Sequence, residues 1–263
     1  MRGQPGRFMS RRNLCSECAV RRDALCCALT PDQLAALNRI SHRRRLPAGR
    51  LISDIDAEGW FANVISGVVK LTKTLPDGRQ QIVELLFPSD FLGRPFRAGS
   101  GYTAETATAV ELCCFGRQQF EGFMHEWPNL KQEFLERTLE EVDAAREWML
   151  LLGRKSAEEK VAALVLLVLQ RLRAPGREAA PANTARFDLP LSRTEMADFL
   201  GLRIETVSRQ LSHLRDTGVI EIAQGRTIVV RDVAALARLT ETDLTCTAHC
   251  NPYPGKAPAG PRT

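Results

Sequence analysis

A chain of 263 residues, 44% apolar and 25% charged, has ample sequence for a packed core, and its composition excludes a fibrous or wholly disordered polymer. Its 36 Lys and Arg against 31 Asp and Glu leave a net charge of +5, which permits nucleic-acid binding through a local patch without demanding it. The longest apolar run, Val161 to Leu169, is about half of a membrane span, and the Arg-rich first twenty residues lack the apolar core of a secretory signal. The expected location is therefore cytoplasmic, with no membrane partner. In a reducing compartment the eight cysteines point away from disulfides and toward metal or redox chemistry.

Residues 1–30 carry the cysteine cluster "CSECAVRRDALC", Cys15 to Cys26, followed directly by Cys27. Cys15, Cys18 and Cys26 offer three soft ligands within reach of one metal centre, with a fourth to come from elsewhere. Four thiolates suit zinc or an iron–sulfur cluster, and ligand type alone does not separate the two. The plainer alternative is buried cysteines acting as small apolar residues, which three at this spacing in an Arg-rich segment disfavour. The other cysteines are the pair Cys113 and Cys114 and the tail residues Cys246 and Cys250.

Residues 31–45 are predicted as a short helix with Leu34, Leu37 and Ile40 on one stripe. A β-rich stretch follows, with two strand-like runs around Pro76-Asp77-Gly78, a hairpin signal, and further runs over Thr103 to Val110 and Glu111 to Phe115. Short strands with turns predict a sandwich or small barrel.

Character changes at Pro128. A long helical pattern places Leu135, Leu139, Val142, Ala145, Met149 and Leu152 on a narrow apolar stripe, the form of a coiled-coil dimer seam. The alternative is one helix packed on its own β domain. A second helix is predicted over Ala157 to Leu172, then a Pro/Ala/Gly-rich loop. The last residues are Pro/Gly-rich and read as a disordered tail.

"LSRTEMADFLGLRIETVSRQLSHLRDTGVIEIAQGRTIVV" is the most specific stretch. Ser192 and Glu195 form a capping box, Ala197 is small where two helices cross, Gly201 suits a left-handed turn, and Val207 points back to the core. The second helix then exposes Glu205, Ser208 and Arg209, with Gln210 and His213 further along, side chains able to read base edges in a major groove. Val219 to Ile222 and Thr227 to Val230, around Gln224-Gly225, predict a hairpin wing. Arg203 stands where a Ser or Thr N-cap is expected, a loss of about 1 kcal/mol. A phosphate contact by Arg203 offsets this in our reading, and an Arg203→Thr variant with unchanged salt dependence of DNA binding refutes it.

A β domain, a long dimer-type helix and a winged helix, in that order, resemble the CRP/FNR superfamily of transcription regulators over nearly the whole chain. "GLRIETVSRQL", with E-x-x-S-R, and "PNL" leading to "MLLLGRKSAEEKVAAL" resemble its FNR branch. The resemblance implies an α+β fold with these parts: a cysteine segment (1–30), an N-terminal β-roll, or double-stranded β-helix, sensor domain (31–126), a dimerisation helix (127–155), a winged helix-turn-helix (156–234) and a tail (235–263). It also implies a homodimer binding double-stranded DNA at a palindromic TTGAT-type operator and contact with RNA polymerase through roll loops such as Pro88 to Gly93. The four scattered His and the lack of a nucleophile–base motif give no support to an enzyme.

Cyclic-nucleotide binders of that family carry Gly-Glu and Arg-Ser pairs in the roll. Here Gly93 is followed by Arg94 and no Arg-Ser pair follows, so cyclic nucleotide is not expected. Oxygen-sensing relatives hold a [4Fe–4S] cluster, and the C-x2-C-x7-C spacing resembles the FnrN-like and oxygen-sensitive FixK-like subgroup. The resemblance assigns Cys15, Cys18 and Cys26 as ligands. It also assigns Cys113, the cysteine fifteen residues before Pro128, as the fourth. A zinc-bound or cluster-free regulator, and a nitric oxide or redox sensor using the same thiols, are the competing expectations. Many FNR proteins have Asp at the position of Ala145, so this seam lacks a self-repelling charge, and Ala145→Asp is expected to weaken dimerisation without the cluster.

Overall fold

The computed structural model describes residues 15, 17–52, 59–96, 101–172 and 184–240. Cys246, Cys250 and the end of the predicted tail lie outside the described residues. Among the described residues no helix is long and apolar enough to cross a membrane.

The predicted roll is present. Strands β1 (Ser41–Leu46), β7 (Val110–Gly116), β2 (Trp60–Ser66) and β5 (Phe91–Leu92) form one sheet in the order β1-β7-β2-β5. Strands β4 (Gln80–Leu86), β3 (Val69–Thr74) and β6 (Thr103–Thr106) form the second. The β3–β4 hairpin turns at the predicted Pro76-Asp77-Gly78, where Gly78 takes a positive φ.

Strand periodicity decides which way each side chain goes. Trp60, Ala62 and Val64 of β2, and Val110, Leu112 and Cys114 of β7, face the roll interior. Phe61, Ile65, Cys113 and Phe115 face outward onto a second cluster. That cluster holds Leu34 and Leu37 of helix α1 (Pro31–Ile40) and Phe120 and Met124 of helix α2 (Arg117–Glu126). Cys15, Val20, Leu25 and Cys26 of the N-terminal segment join it.

Two local readings are corrected. The helix predicted over 31–45 stops at Ile40, because Ser41–Leu46 pairs antiparallel along the whole of β7. That ladder outweighs the weak helical pattern of "SHRRRL", while the Thr30 capping box with Gln33 starts the helix as its sequence dictates. Helix α2 was not expected. Its apolar residues are few, and it is held by Phe120 stacking near Phe91 and Phe115.

Helix α3 (Pro128–Arg154) leads to α4 (Ala157–Leu172), which has the predicted boundaries and buries nearly all of Val161–Leu169. Helices α5 (Arg193–Leu200) and α6 (Ile204–Asp216) and strands β9 (Ile220–Ile222) and β10 (Thr227–Val230) complete the winged helix. Two additions extend it. Strand β8 (Ala185–Asp188) pairs with β10 and takes in the last two residues of the stretch predicted as loop. Helix α7 (Val233–Leu239) carries the module past residue 234, into the segment assigned to the tail, because Leu236 and Ala237 are buried in the same core as α4.

This module packs on the roll. Ile82, Leu85 and Phe87 share its core, and Trp148 of α3 stacks on Phe199 of α5 with ring centroids 4.5 Å apart. Lys70 of β3 bridges Glu195, at 2.5 Å, and Glu105, at 3.1 Å.

Candidate functional site

The sulfur-bearing side chains of Cys15, Cys18 and Cys26 and of the sequence-distant Cys113 line one small cavity together with Val20, Leu37, Arg43, Asn63 and Phe115. A tight turn, closed by Arg21 N–H donating to Cys18 O and Ala24 N–H to Val20 O, leads into a 3-10 turn at Leu25–Ala28. That turn buries Cys26 and leaves Cys27 half-exposed. Cys27 is directed to α3, where Arg137 Nη2 lies 4.0 Å from its Sγ. The short turn thus sets Cys26 on the cavity and Cys27 on its other side, toward α3.

Cys113 and Cys114 are separated by pleat in the same way. Cys114 points into the roll interior, and Cys113 points to the cysteine segment. On β7, Cys113 is flanked by its cross-strand partners Arg43 on β1 and Asn63 on β2.

Burial dominates the electrostatics. It pushes the Cys15 thiol up, with added repulsion from Cys18. Cys26 rises to about 12, through burial and then the charges of Cys18, Cys15 and Cys27. Cys113 rises further still, through burial and then Cys15, Cys18 and Cys26. Cys114 also rises to about 12, by burial alone against an opposing Arg44. A buried thiol raised in this way stays protonated and unreactive until a cation compensates its thiolate.

Three features bear on whether these residues suit a metal or cluster. The lining offers four sulfurs and neither imidazole nor carboxylate, a soft donor set. Asn63, 4% exposed, has an Oδ1 without any hydrogen-bond partner beside those sulfurs. As placed, no three His, Cys, Asp or Glu among the described residues are gathered tightly enough to hold a single metal ion. The donor chemistry fits a sulfur-ligated group.

The helix-turn-helix forms as its sequence requires. Glu195 N–H donates to Ser192 Oγ at 3.3 Å, and Ser192 N–H donates back to Glu195 Oε2 at 2.7 Å. Gly201 ends α5 with φ 62° and ψ 38°, a conformation that costs a residue with a side chain about 1–2 kcal/mol. Ala197 and Val207 are buried at the helix crossing. Glu205, Ser208 and Arg209 lie exposed on the outer face of α6. Arg203 precedes α6 with extended backbone and no side-chain cap, leaving its guanidinium on the surface. Two side chains expected further along are partly committed elsewhere: His213 lies 3.4 Å from Glu158 of α4, and Gln210 is half-buried.

Helix α3 has two faces. Leu130, Glu133, Ala144, Trp148 and Leu151 are buried against the chain's own body. Leu135 (58%), Leu139 (57%), Val142 (40%) and Met149 (70%) are exposed, as is Ala145. One face of the helix thus packs on the chain's own body, and the other leaves most of the predicted stripe exposed. Leu152 departs from the stripe, being half-buried on its own core, and Leu150 (52% exposed) was not expected there.

A second cavity, of about 430 Å³, lies between the roll and α3, with Glu84, Arg94, Tyr102, Thr138 and Glu141 among its lining. Burial, with Glu141 and Asp90 repelling, pushes Glu84 up to about 8. Burial and Asp90 push Glu141 to about 7. Asp90, in the loop from Pro88 to Gly93, is itself tied to Arg171 and to the Phe87 N–H.

Sequence reasoning missed Arg43, Asn63 and Arg137. Asn63 had a legible signal, a single amide in the otherwise apolar strand "WFANVI". Arg43 and Arg137 had none, since each is one Arg among many.

Comparison with known proteins agrees in two parts. Residues 43–126 match the cyclic nucleotide-binding domain family and 159–239 the Crp-like helix-turn-helix domain family. The chain is 48% identical over 86% of its length to a probable transcriptional activator of Rhizobium leguminosarum bv. viciae, of which 92% is covered. It is 46% identical over 84% of its length to the transcriptional activator protein FnrL of Cereibacter sphaeroides, of which 90% is covered. Among solved structures, FixK2 from Bradyrhizobium japonicum matches 76% of this chain and 97% of its own, at 30% identity and a TM-score of 0.66.

Proposed function

Because the chain belongs to the CRP/FNR family of transcription regulators, we propose that it is a homodimeric, oxygen-responsive transcriptional activator of the FNR/FixK type. DNA binding through the helix-turn-helix is common to this family, and the relatives are activators, not enzymes. The observation that carries the finer reading is the gathering of Cys15, Cys18, Cys26 and Cys113 on one cavity.

Those four thiols are the residues that would hold a [4Fe–4S] cluster. When bound, such a cluster supplies an oxygen-labile bridge between the N-terminal segment and β7. The chain's own residues do the rest. The cysteine segment docks on the first turns of α3, with Asn129 Nδ2 donating to Ala28 O at 2.7 Å. The exposed stripe Leu135, Leu139, Val142 and Met149, with Ala145, meets its symmetry mate. Glu205, Ser208 and Arg209 of each subunit enter successive major grooves about 34 Å apart, at a palindrome of TTGAT-type half-sites, and Arg203 contacts phosphate. RNA polymerase is met by roll loops. No cyclic nucleotide is expected in the second cavity, since Gly93 is followed by Arg94 where the nucleotide binders of the family carry Glu, and no Arg-Ser pair follows.

The test is one preparation made without oxygen, assayed for iron and acid-labile sulfide, then followed for colour and operator binding on exposure to air. The expected result is about four irons per chain and operator affinity lost with the colour. A colourless protein with one zinc per chain refutes the oxygen-sensing reading, and so does operator binding indifferent to air.

A further inference from the structure

The cysteine segment meets the dimerisation helix at two levels, and the second has no counterpart in the sequence reading. Asn129, in the first turn of α3, holds Ala28 O. Eight residues on, about 12 Å along the axis, Arg137 reaches the same segment. Its Nη2 donates to Asp23 O at 2.5 Å and lies 4.0 Å from Cys27 Sγ, while its Nε donates to Glu133 Oε1 at 2.8 Å. The side chains of Arg137 and Glu133 are only 17% and 8% exposed. Glu133 is thus a nearly buried carboxylate whose charge is met one turn away.

A planar guanidinium with one edge fixed by Glu133 presents its remaining N–H groups in a set direction. That direction is the carbonyl between Cys18 and Cys26. The exposed stripe of Leu135, Leu139 and Val142 stands on the other side of the same two helical turns. A shift of the segment at Asp23 therefore pulls on the backbone that carries the seam.

We propose that Arg137, oriented by Glu133, is the positioning residue through which the dimerisation helix reads the state of the cysteine segment. Asn129 anchors the segment, and Arg137 couples it. Cys27 has a role in this arrangement as a contact of Arg137, distinct from the four cavity thiols. The inference deepens the oxygen-sensing reading and rests on it.

The experiment compares the full-length wild type, Arg137→Lys, and the charge-neutral double variant Glu133→Gln/Arg137→Gln, which avoids stranding a buried carboxylate. Each is prepared without oxygen. Iron and sulfide are assayed, the monomer–dimer constant is measured by sedimentation before and after air exposure, and hydrogen exchange follows the amides of residues 20–28. Wild type is expected to change its dimer constant at least about tenfold on air exposure. The double variant is expected to keep wild-type iron, lose protection over residues 20–28, and change its dimer constant less than about twofold. Arg137→Lys keeps a charge opposite Glu133 but lacks the planar fork, so it is expected to retain fold and iron and show the same loss of response. A double variant with the full wild-type response overturns the proposal, even where exchange protection is lost. Iron lost from both variants overturns it too, by assigning Arg137 to assembly of the centre. A wild type without iron refutes the oxygen-sensing reading at the first assay, and the inference falls with it.

Discussion

Glu84 offers a test of how the second cavity bears on stability. Its carboxyl is held in the folded chain at about 8, against an ordinary 4.5, chiefly by burial between the sheet and α3. A raised carboxyl binds its proton more tightly folded than unfolded, so its favourable contribution is complete below about 4.5 and is lost as pH rises toward 8. Fully expressed, that gap is worth roughly 5 kcal/mol at about 1.4 kcal/mol per decade of proton affinity. Glu84 is only half-buried and lines the cavity, so solvent screening brings the working figure to about 1–2 kcal/mol. Thermal unfolding followed by circular dichroism at pH 6 and pH 8.5 checks the reasoning. Wild type is expected to melt lower at the higher pH by about 2–8 °C more than Glu84→Gln does. Parallel pH profiles for the two proteins refute it.

The remaining predictions concern the cysteine centre and the DNA face. Cys113→Ser is expected to abolish iron loading in an oxygen-free preparation and Cys114→Ser to leave it near wild type, because adjacent residues of β7 face opposite sides; iron and sulfide assays decide. Asn63→Leu removes an orphaned buried Oδ1 and is expected to raise the unfolding free energy of the iron-free chain by about 1 kcal/mol, read from denaturant titration, while iron-loaded protein bleaches faster in air through loss of an amide beside the sulfurs. Arg209→Ala is expected to weaken specific operator binding by about 1–3 kcal/mol, whereas Arg203→Ala weakens all DNA alike and lowers the salt slope by about one; fluorescence anisotropy across a salt series distinguishes them.

Much of this molecule was legible because its signals are local. The capping box at Ser192 and Glu195, the left-handed Gly201 and the small Ala197 each act within a few residues, so the helix-turn-helix could be read from spacing alone. The same holds for α4, whose apolar run must be buried wherever it lies, and for the Asp77-Gly78 turn. The cysteine triplet was visible as soft ligands, and its fourth member came from resemblance, not from the residues themselves.

Partners distant in sequence decided the rest. "SHRRRL" became β1 only because β7 offered a full ladder, and Ala185–Asp188 became β8 because β10 had an open edge. Helix α7 formed where α4 had an apolar face left to cover. Pleat sent Cys113 toward the N-terminal segment and Cys114 into the roll, a choice no count along the chain contains. A stripe of Leu, Val and Met is the same string whether it faces its own domain or a second subunit. The sequence alone determined which elements exist and which residue types could do chemistry or touch DNA, because propensity, capping and periodicity are short-range. Only the tertiary structure decided which cysteines share a cavity and that Arg137 stands between that segment and the helix, because burial and long-range contact are properties of the packed chain.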